Sequence, residues 1–297
     1  MILNITKDIL NITYNKTEEI NYYDTIIKRI EDYFTSENFD SSQLDSGKDE
    51  QIVTEKMIIT LTTTENQKNN ENVNLTIIEL GDCERNLRHF NNLSINETIY
   101  MKKIDVKQEG MKIPKIEYDV YSKLNGSKLI KLNLSVCEND KITISIPVSL
   151  SENIDILNSS SSYYNNICYK ATSESGTDIS LKDRKNEFVN NNKTLCQEDC
   201  DFIEYNYTTS KAICSCQVKE SSSTFADMNI NKTKLLDNIK DIKSFLNINL
   251  LLCFDNLFKI ENIMYNIGFY IITFIIIFHM INALIFFIKK FRLIKKK

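Results

Sequence analysis

Hydrophobic positions follow three regimes along this chain. Near the N-terminus they recur at helical spacing, across the middle they alternate, and near the C-terminus they merge into one run. Residues 1–20 are polar and predict an irregular segment. In residues 22–34, Ile26, Ile27, Ile30 and Phe34 share one stripe, which predicts an amphipathic helix. The acidic stretch that follows, TSENFDSSQLDSGKDE, reads as a solvated loop.

Alternation begins at residues 57–64 (MIITLTTT) and 73–80 (VNLTIIEL), both rich in β-branched side chains. The polar ENQKNNEN between them reads as a turn. Gly81, Asp82 and Cys83 open a short helix, with Asp82 expected as N-cap and Leu87 and Phe90 on its inner face. Residues 98–106 and 116–122 predict further strands. Asn125-Gly126 predicts a hairpin turn into residues 129–134, because both central positions of such a turn take positive φ. Residues 141–148 alternate, with Ile142, Ile144 and Ile146 on one face. The expected fold is therefore mainly β, an antiparallel sandwich or a small α+β sheet.

The pattern divides the chain into six parts. Residues 1–50 form a polar N-terminal segment with one amphipathic helix, and 51–150 the β-rich domain. Residues 151–225 form a cysteine-rich disulfide module. In 226–262 helical spacing returns through Leu235, Leu236, Ile239, Ile242, Phe245 and Leu246, behind Asn231 as a cap, and predicts a juxtamembrane stalk. Residues 263–288 form a transmembrane helix. Its core, 267–288, carries no charge and three clearly polar side chains, Thr273, His279 and Asn282. About 20 such residues, at 1.5 Å rise each, cross the roughly 30 Å core of a bilayer. Residues 289–297 form a basic tail.

Charge then orients the span. The tail holds Lys289, Lys290, Arg292, Lys295, Lys296 and Lys297 and no acid, leaving 30 basic against 40 acidic residues before it. The excess of Lys and Arg on cytoplasmic flanks puts the tail in the cytosol and the rest outside, in the plasma membrane or secretory pathway. Asn-x-Ser/Thr acceptors agree. They occur at Asn4, Asn11, Asn15, Asn74, Asn92, Asn96, Asn125, Asn133, Asn158, Asn192, Asn206 and Asn231. The excess is modest for so Asn-rich a chain. One feature points the other way: MILNITKDILNITYNKTEEI lacks the basic start, apolar run and small-residue cleavage site of a signal peptide. The exoplasmic reading therefore expects a longer N-terminal part. A tail-anchored cytosolic chain is the alternative.

All eight cysteines precede the apolar run: Cys83, Cys137, Cys168, Cys196, Cys200, Cys214, Cys216 and Cys253. That suits an oxidising compartment. Cys214 and Cys216 are too close to pair with each other, so each is expected to pair outward. Parallel bridges to Cys196 and Cys200 are the simplest solution, although four cysteines allow three connectivities. Cys83, Cys137 and Cys168 supply one bridge across the β domain and one to the cysteine-rich module. Cys253 pairs with Cys168, links two chains, or stays a buried thiol. In the cytosolic alternative, Cys196, Cys200, Cys214 and Cys216 would form a zinc knuckle.

Little here suggests catalysis. There are two histidines, and one of them, His279, lies in the apolar run; His89 stands near Arg85 and Arg88. No GxGxxG, phosphate-binding loop or HExxH motif occurs. Asp40, Asp45, Asp49 and Glu50 do not fit a calcium-loop register with Gly47. We therefore expect no enzyme, no cofactor and no resident metal. Basic residues interspersed with acids argue against nucleic acid. The expected partners are the lipid bilayer through 263–288 and an extracellular protein or carbohydrate ligand. Self-association through Asn282 is a third expectation, set against a lone polar residue being simply tolerated. The resulting expectation is a single-pass type I surface glycoprotein whose disulfide-stabilised ectodomain serves binding, adhesion or coat structure.

Overall fold

A computed structural model describes residues 16–70, 72–123, 128–150, 153–173, 175–190, 193–235, 253 and 267–294. The chain divides into two compact units, one of residues 1–165 with 179–241, the other of 166–178 with 242–297.

The first unit contains two antiparallel sheets. Strands β1 (Glu50–Val53), β2 (Met57–Thr63), β4 (Tyr100–Val106), β5 (Lys115–Ser122) and β6 (Ile130–Lys131) form one, in the order β1-β2-β4-β5-β6. Strands β3 (Ile77–Glu79), β7 (Lys141–Pro147), β8 (Cys200–Asn206) and β9 (Lys211–Gln217) form the other, in the order β3-β7-β9-β8. Helix α1 spans Lys16–Phe34, beginning before the expected residue 22. Its stripe, Ile26, Ile27, Ile30 and Phe34, is buried as its spacing predicts. It joins one cluster with Met57, Ile59, Leu61, Tyr100, Ile104, Val106 and Tyr121 from one face of the five-stranded sheet.

The second sheet buries alternate positions of β7 and β9. Ile142, Ile144 and Ile146 stand opposite Cys216, Cys214 and Ala212 in register, and all six are at most 3% exposed. The boundary expected at residue 150 thus falls between two paired strands of one sheet. Around Thr76, just before β3, side chains tie the sheets together. The Lys103 ammonium donates to the Thr76 hydroxyl (2.7 Å), which donates to Asp105 (2.7 Å). Gln67 donates to Thr62 (3.2 Å) and accepts from the Ile78 amide (3.1 Å).

Several local expectations are corrected. ENQKNNEN is no turn between paired strands. Thr64–Lys68 is helix α2, with the Thr63 hydroxyl accepting from the Asn66 amide (3.0 Å), and β2 and β3 lie in different sheets. The strand expected over 73–80 shrinks to Ile77–Glu79. The acidic loop is partly built in. Leu44 is buried on a helical turn at Ser42–Asp45, and Asp45 accepts from Ser41 (2.7 Å) and the Tyr100 hydroxyl (2.8 Å). Helix α3 spans Asp82–Phe90, but its N-cap is Gly81 at φ 55, ψ −122, a conformation that favours glycine. Asp82 instead sits in the first turn and pairs with Arg85. Leu87 is buried as expected; Phe90 is 63% exposed. β5 pairs with β6 antiparallel, while Asn125 and Gly126 lie outside the described residues. A helical turn begins at Lys232, its Lys234 amide 3.3 Å from the Asn231 side-chain oxygen. Most of the expected stalk lies outside the described residues.

Candidate functional site

The cysteines define the most constrained region. Residues 214 and 216 are two apart on β9, so the period of a strand puts both side chains on its buried face. Neither can turn back on the other. Cys216 faces Cys200 directly across β8 and β9, Cα to Cα 4.0 Å, and the two are bridged. Cys214 bridges Cys196 (Cα to Cα 5.9 Å), which lies just before β8. Cys83 on α3 bridges Cys137 (5.2 Å), in a 3-10 turn at Leu134–Cys137. Within the second unit, Cys168 bridges Cys253 (5.4 Å). All eight cysteines are therefore paired, in the parallel arrangement the spacing favoured. Cys83, Cys137 and Asp140 lie close enough to suggest a metal group, but a bridged pair offers no thiolate. The same pairing occupies the four cysteines of the zinc alternative.

Seven sequons fall on described residues. Asn74, Asn92, Asn96, Asn133 and Asn231 are exposed; Asn158 and Asn206 are half-buried. Asn125 and Asn192, like Asn4, Asn11 and Asn15, lie outside the described residues. At Asn133, Asn158 and Asn206 the side-chain oxygen accepts from the backbone amide two residues on, at 2.9 Å each. The oxygen is the atom engaged there, not the amide nitrogen that a glycan modifies.

The loop from α3 to β4 carries two sequons, Asn92 and Asn96, and is pinned by one guanidinium. Arg88 donates to Glu84 (2.7 Å), to the Ser94 carbonyl (3.0 Å) and to the Glu97 carbonyl (2.7 Å). Burial pushes the Glu84 carboxyl up, but Arg88 and Lys68 outweigh it and hold the group below the usual glutamate range. Phe90, the last residue of α3, and Ile95 in the loop are 63% and 85% exposed.

A buried charge ladder lies on the α1 face of β4 and β5. Lys102 contacts Asp119 (2.8 Å) and Glu31 of α1 (2.7 Å), and Asp119 also takes Lys131 (2.7 Å) and Ser221 (2.6 Å). Further along β5, Lys115 pairs with Glu198, and Glu117 accepts from the Ser222 amide (3.0 Å). Gln197 covers the open edge of β5. Its side chain accepts from the Ile116 amide (2.9 Å) and donates to the Ile116 carbonyl (3.4 Å), completing a ladder that β6 is too short to reach. Sequence reasoning missed this ladder. The signal was present in YMKKIDV and KIEYDVYS, where charges of opposite sign sit on strands rich in apolar neighbours.

Helix α4 spans Leu181–Asn190. Helix α5 spans Ile267–Ile294, and its residues 267–290 are long and apolar enough to cross a membrane, with His279 and Asn282 among exposed apolar side chains. His89 is exposed, and among the described residues no acid or nucleophile hydrogen-bonds to its ring. No family model, curated protein or solved structure matches this chain. The described residues combine four bridges, one exposed apolar helix, and sequons at hydrogen-bonded turns.

Proposed function

We propose that this chain is a single-pass type I membrane glycoprotein, and that its disulfide-bonded ectodomain, with the two sheets as layers of one sandwich, serves binding, adhesion or coat structure. The observation that carries the reading is the bridging of every cysteine before α5. Bridges persist where the surroundings are oxidising, which supports a location in the secretory pathway or at the cell surface. The exposed apolar surface of α5 supports a bilayer as its solvent, since an apolar surface of this size is otherwise covered. The basic residues after it support a cytosolic tail. The expected ligand is an extracellular protein or carbohydrate.

The test is a glycosidase mobility shift on the full chain expressed in cells with a secretory pathway. A fall of several sugar masses supports the exoplasmic reading. An unshifted chain that stays in the membrane fraction overturns it and favours the tail-anchored orientation.

A further inference from the structure

After β9 the chain runs as a strap, residues 218–230, before it continues toward α5. The strap's contacts come in a row. At its C-terminal end Gln108, just after β4, donates to the Met228 carbonyl (3.1 Å) and accepts from the Ile230 amide (3.0 Å). The Met228 side chain is buried in the cluster that holds the α1 stripe. Next, the Phe225 amide donates to Asp24 of α1 (2.6 Å), and the Phe225 ring stacks on Tyr23 of α1 with centroids 4.5 Å apart. Then Ser222 donates to Glu117 through its amide (3.0 Å) and its hydroxyl (3.2 Å), and Ser221 donates to Asp119 (2.6 Å).

This strap is held less firmly than the strand it follows. β9 is paired along both edges and bridged twice. The strap contains no cysteine, and its Ser223, Ala226, Asp227 and Asn229 are exposed. Segments with few buried apolar groups open at lower free energy than core strands do. Helix α1 is unequally held as well. Its C-terminal end is fixed without the strap, because the Phe34 ring meets Phe39 (4.8 Å) and Tyr121 (5.0 Å) edge-on. Toward its start, Tyr23 is the outermost buried side chain among the described residues, and it packs on Phe225. Beyond it the contact to the sheet is the half-exposed pair Glu19–Lys56 (2.8 Å).

We infer that the strap is a latch that opens without the sheets unfolding, and that its closure holds the first half of α1 in place. A pull from the α5 end meets the Gln108 bonds first, then Phe225, and the serines last, so the contacts yield one after another. Displacing Phe225 frees Tyr23 and Asp24 together. The α5 end of the chain and its N-terminal helix are thereby coupled through one segment. The coupling holds for either orientation of the chain in a membrane.

The experiment is amide hydrogen exchange on the full chain in detergent micelles, for the wild type and Gln108→Ala. Among the described residues the Gln108 side chain hydrogen-bonds to the strap and to the Val106 carbonyl, not to α1. Loss of its two bonds to the strap is expected to speed exchange about tenfold at the Ser222 and Phe225 amides. Residues 19–25 of α1 should speed up by the same factor, with 30–34, β7 and β9 unchanged. Phe225→Leu, which loses the ring stack but keeps an apolar anchor, should give the same pattern. Faster exchange in the strap with residues 19–25 unchanged would overturn the coupling. An equal rise in β7 and β9 would show that the strap opens only with the whole fold, and would overturn the latch. No change in either variant would overturn both.

Discussion

Lys102 and Asp119 stand opposite one another across β4 and β5, ammonium to carboxylate 2.8 Å, each side chain 3% exposed. Neither group is alone. Lys102 also reaches Glu31, and Asp119 also takes Lys131 and Ser221. Taking charges out of water is costly, and only mutual pairing with further hydrogen bonds offsets it. Removing one partner should therefore cost more than removing both. Lys102→Met is expected to destabilise the chain by about 3 kcal/mol, whereas Lys102→Met with Asp119→Leu recovers most of that loss. Denaturant unfolding of the full chain in detergent, followed by tyrosine near-UV circular dichroism, checks the order.

The same carboxylate sets an acid limb. Burial pushes Asp119 up, but Lys102, Lys131 and Ser221 together hold its folded-state pKa below the ordinary aspartate value. A depressed carboxylate stabilises the fold above the unfolded value, about pH 4, and loses that contribution as pH falls through the folded value. Stability is thus expected to fall steeply below about pH 4, and Asp119→Asn should flatten this limb. A Tm series against pH for the two chains decides it; parallel curves would sink the assignment.

Gln197 completes the edge of β5 with a side chain in place of a strand. Gln197→Ala leaves a buried amide and carbonyl at Ile116 without partners. The expected cost is about 1–3 kcal/mol. Hydrogen exchange at the Ile116 amide should rise by more than at Tyr100 or Met101, whose strand is paired on both sides. Gln197→Glu retains the acceptor but not the donor and should fall between.

The bridges differ in what they close. Cys83–Cys137 spans 54 residues and Cys200–Cys216 spans 16. Chain entropy gives about 4 and about 3 kcal/mol for such loops. The shorter one joins strands that are already hydrogen-bonded, so its removal should cost less than that figure. Alanine replacement of each pair, compared by denaturant midpoint, tests this order. A non-reducing peptide map should return the four pairs stated above; any peptide linking Cys196 to Cys216 would contradict them.

Much of the local structure was readable from residue spacing. Ile26, Ile27, Ile30 and Phe34 mark α1 because a helical stripe has one period, and Ile142, Ile144 and Ile146 mark β7 because a strand has another. Cys214 and Cys216 could be assigned to separate partners on the same ground. Where signals were short they failed. The first half of ENQKNNEN joined Thr64 in a helix that Thr63 caps, and Phe90, at the end of α3, stayed exposed.

By itself the sequence determined the elements whose reason is local: the periods of α1 and β7, the apolar length of α5, and the spacing of the cysteines. Only the tertiary structure decided which strands pair, because register depends on residues far apart in the chain. It put β9, with its two cysteines, beside β7 rather than in a separate module. It brought Lys102 to Asp119 and Gln197 to the edge of β5. A charge is stabilising inside a protein only when its partner arrives from elsewhere in the chain, and that arrival is a property of the fold.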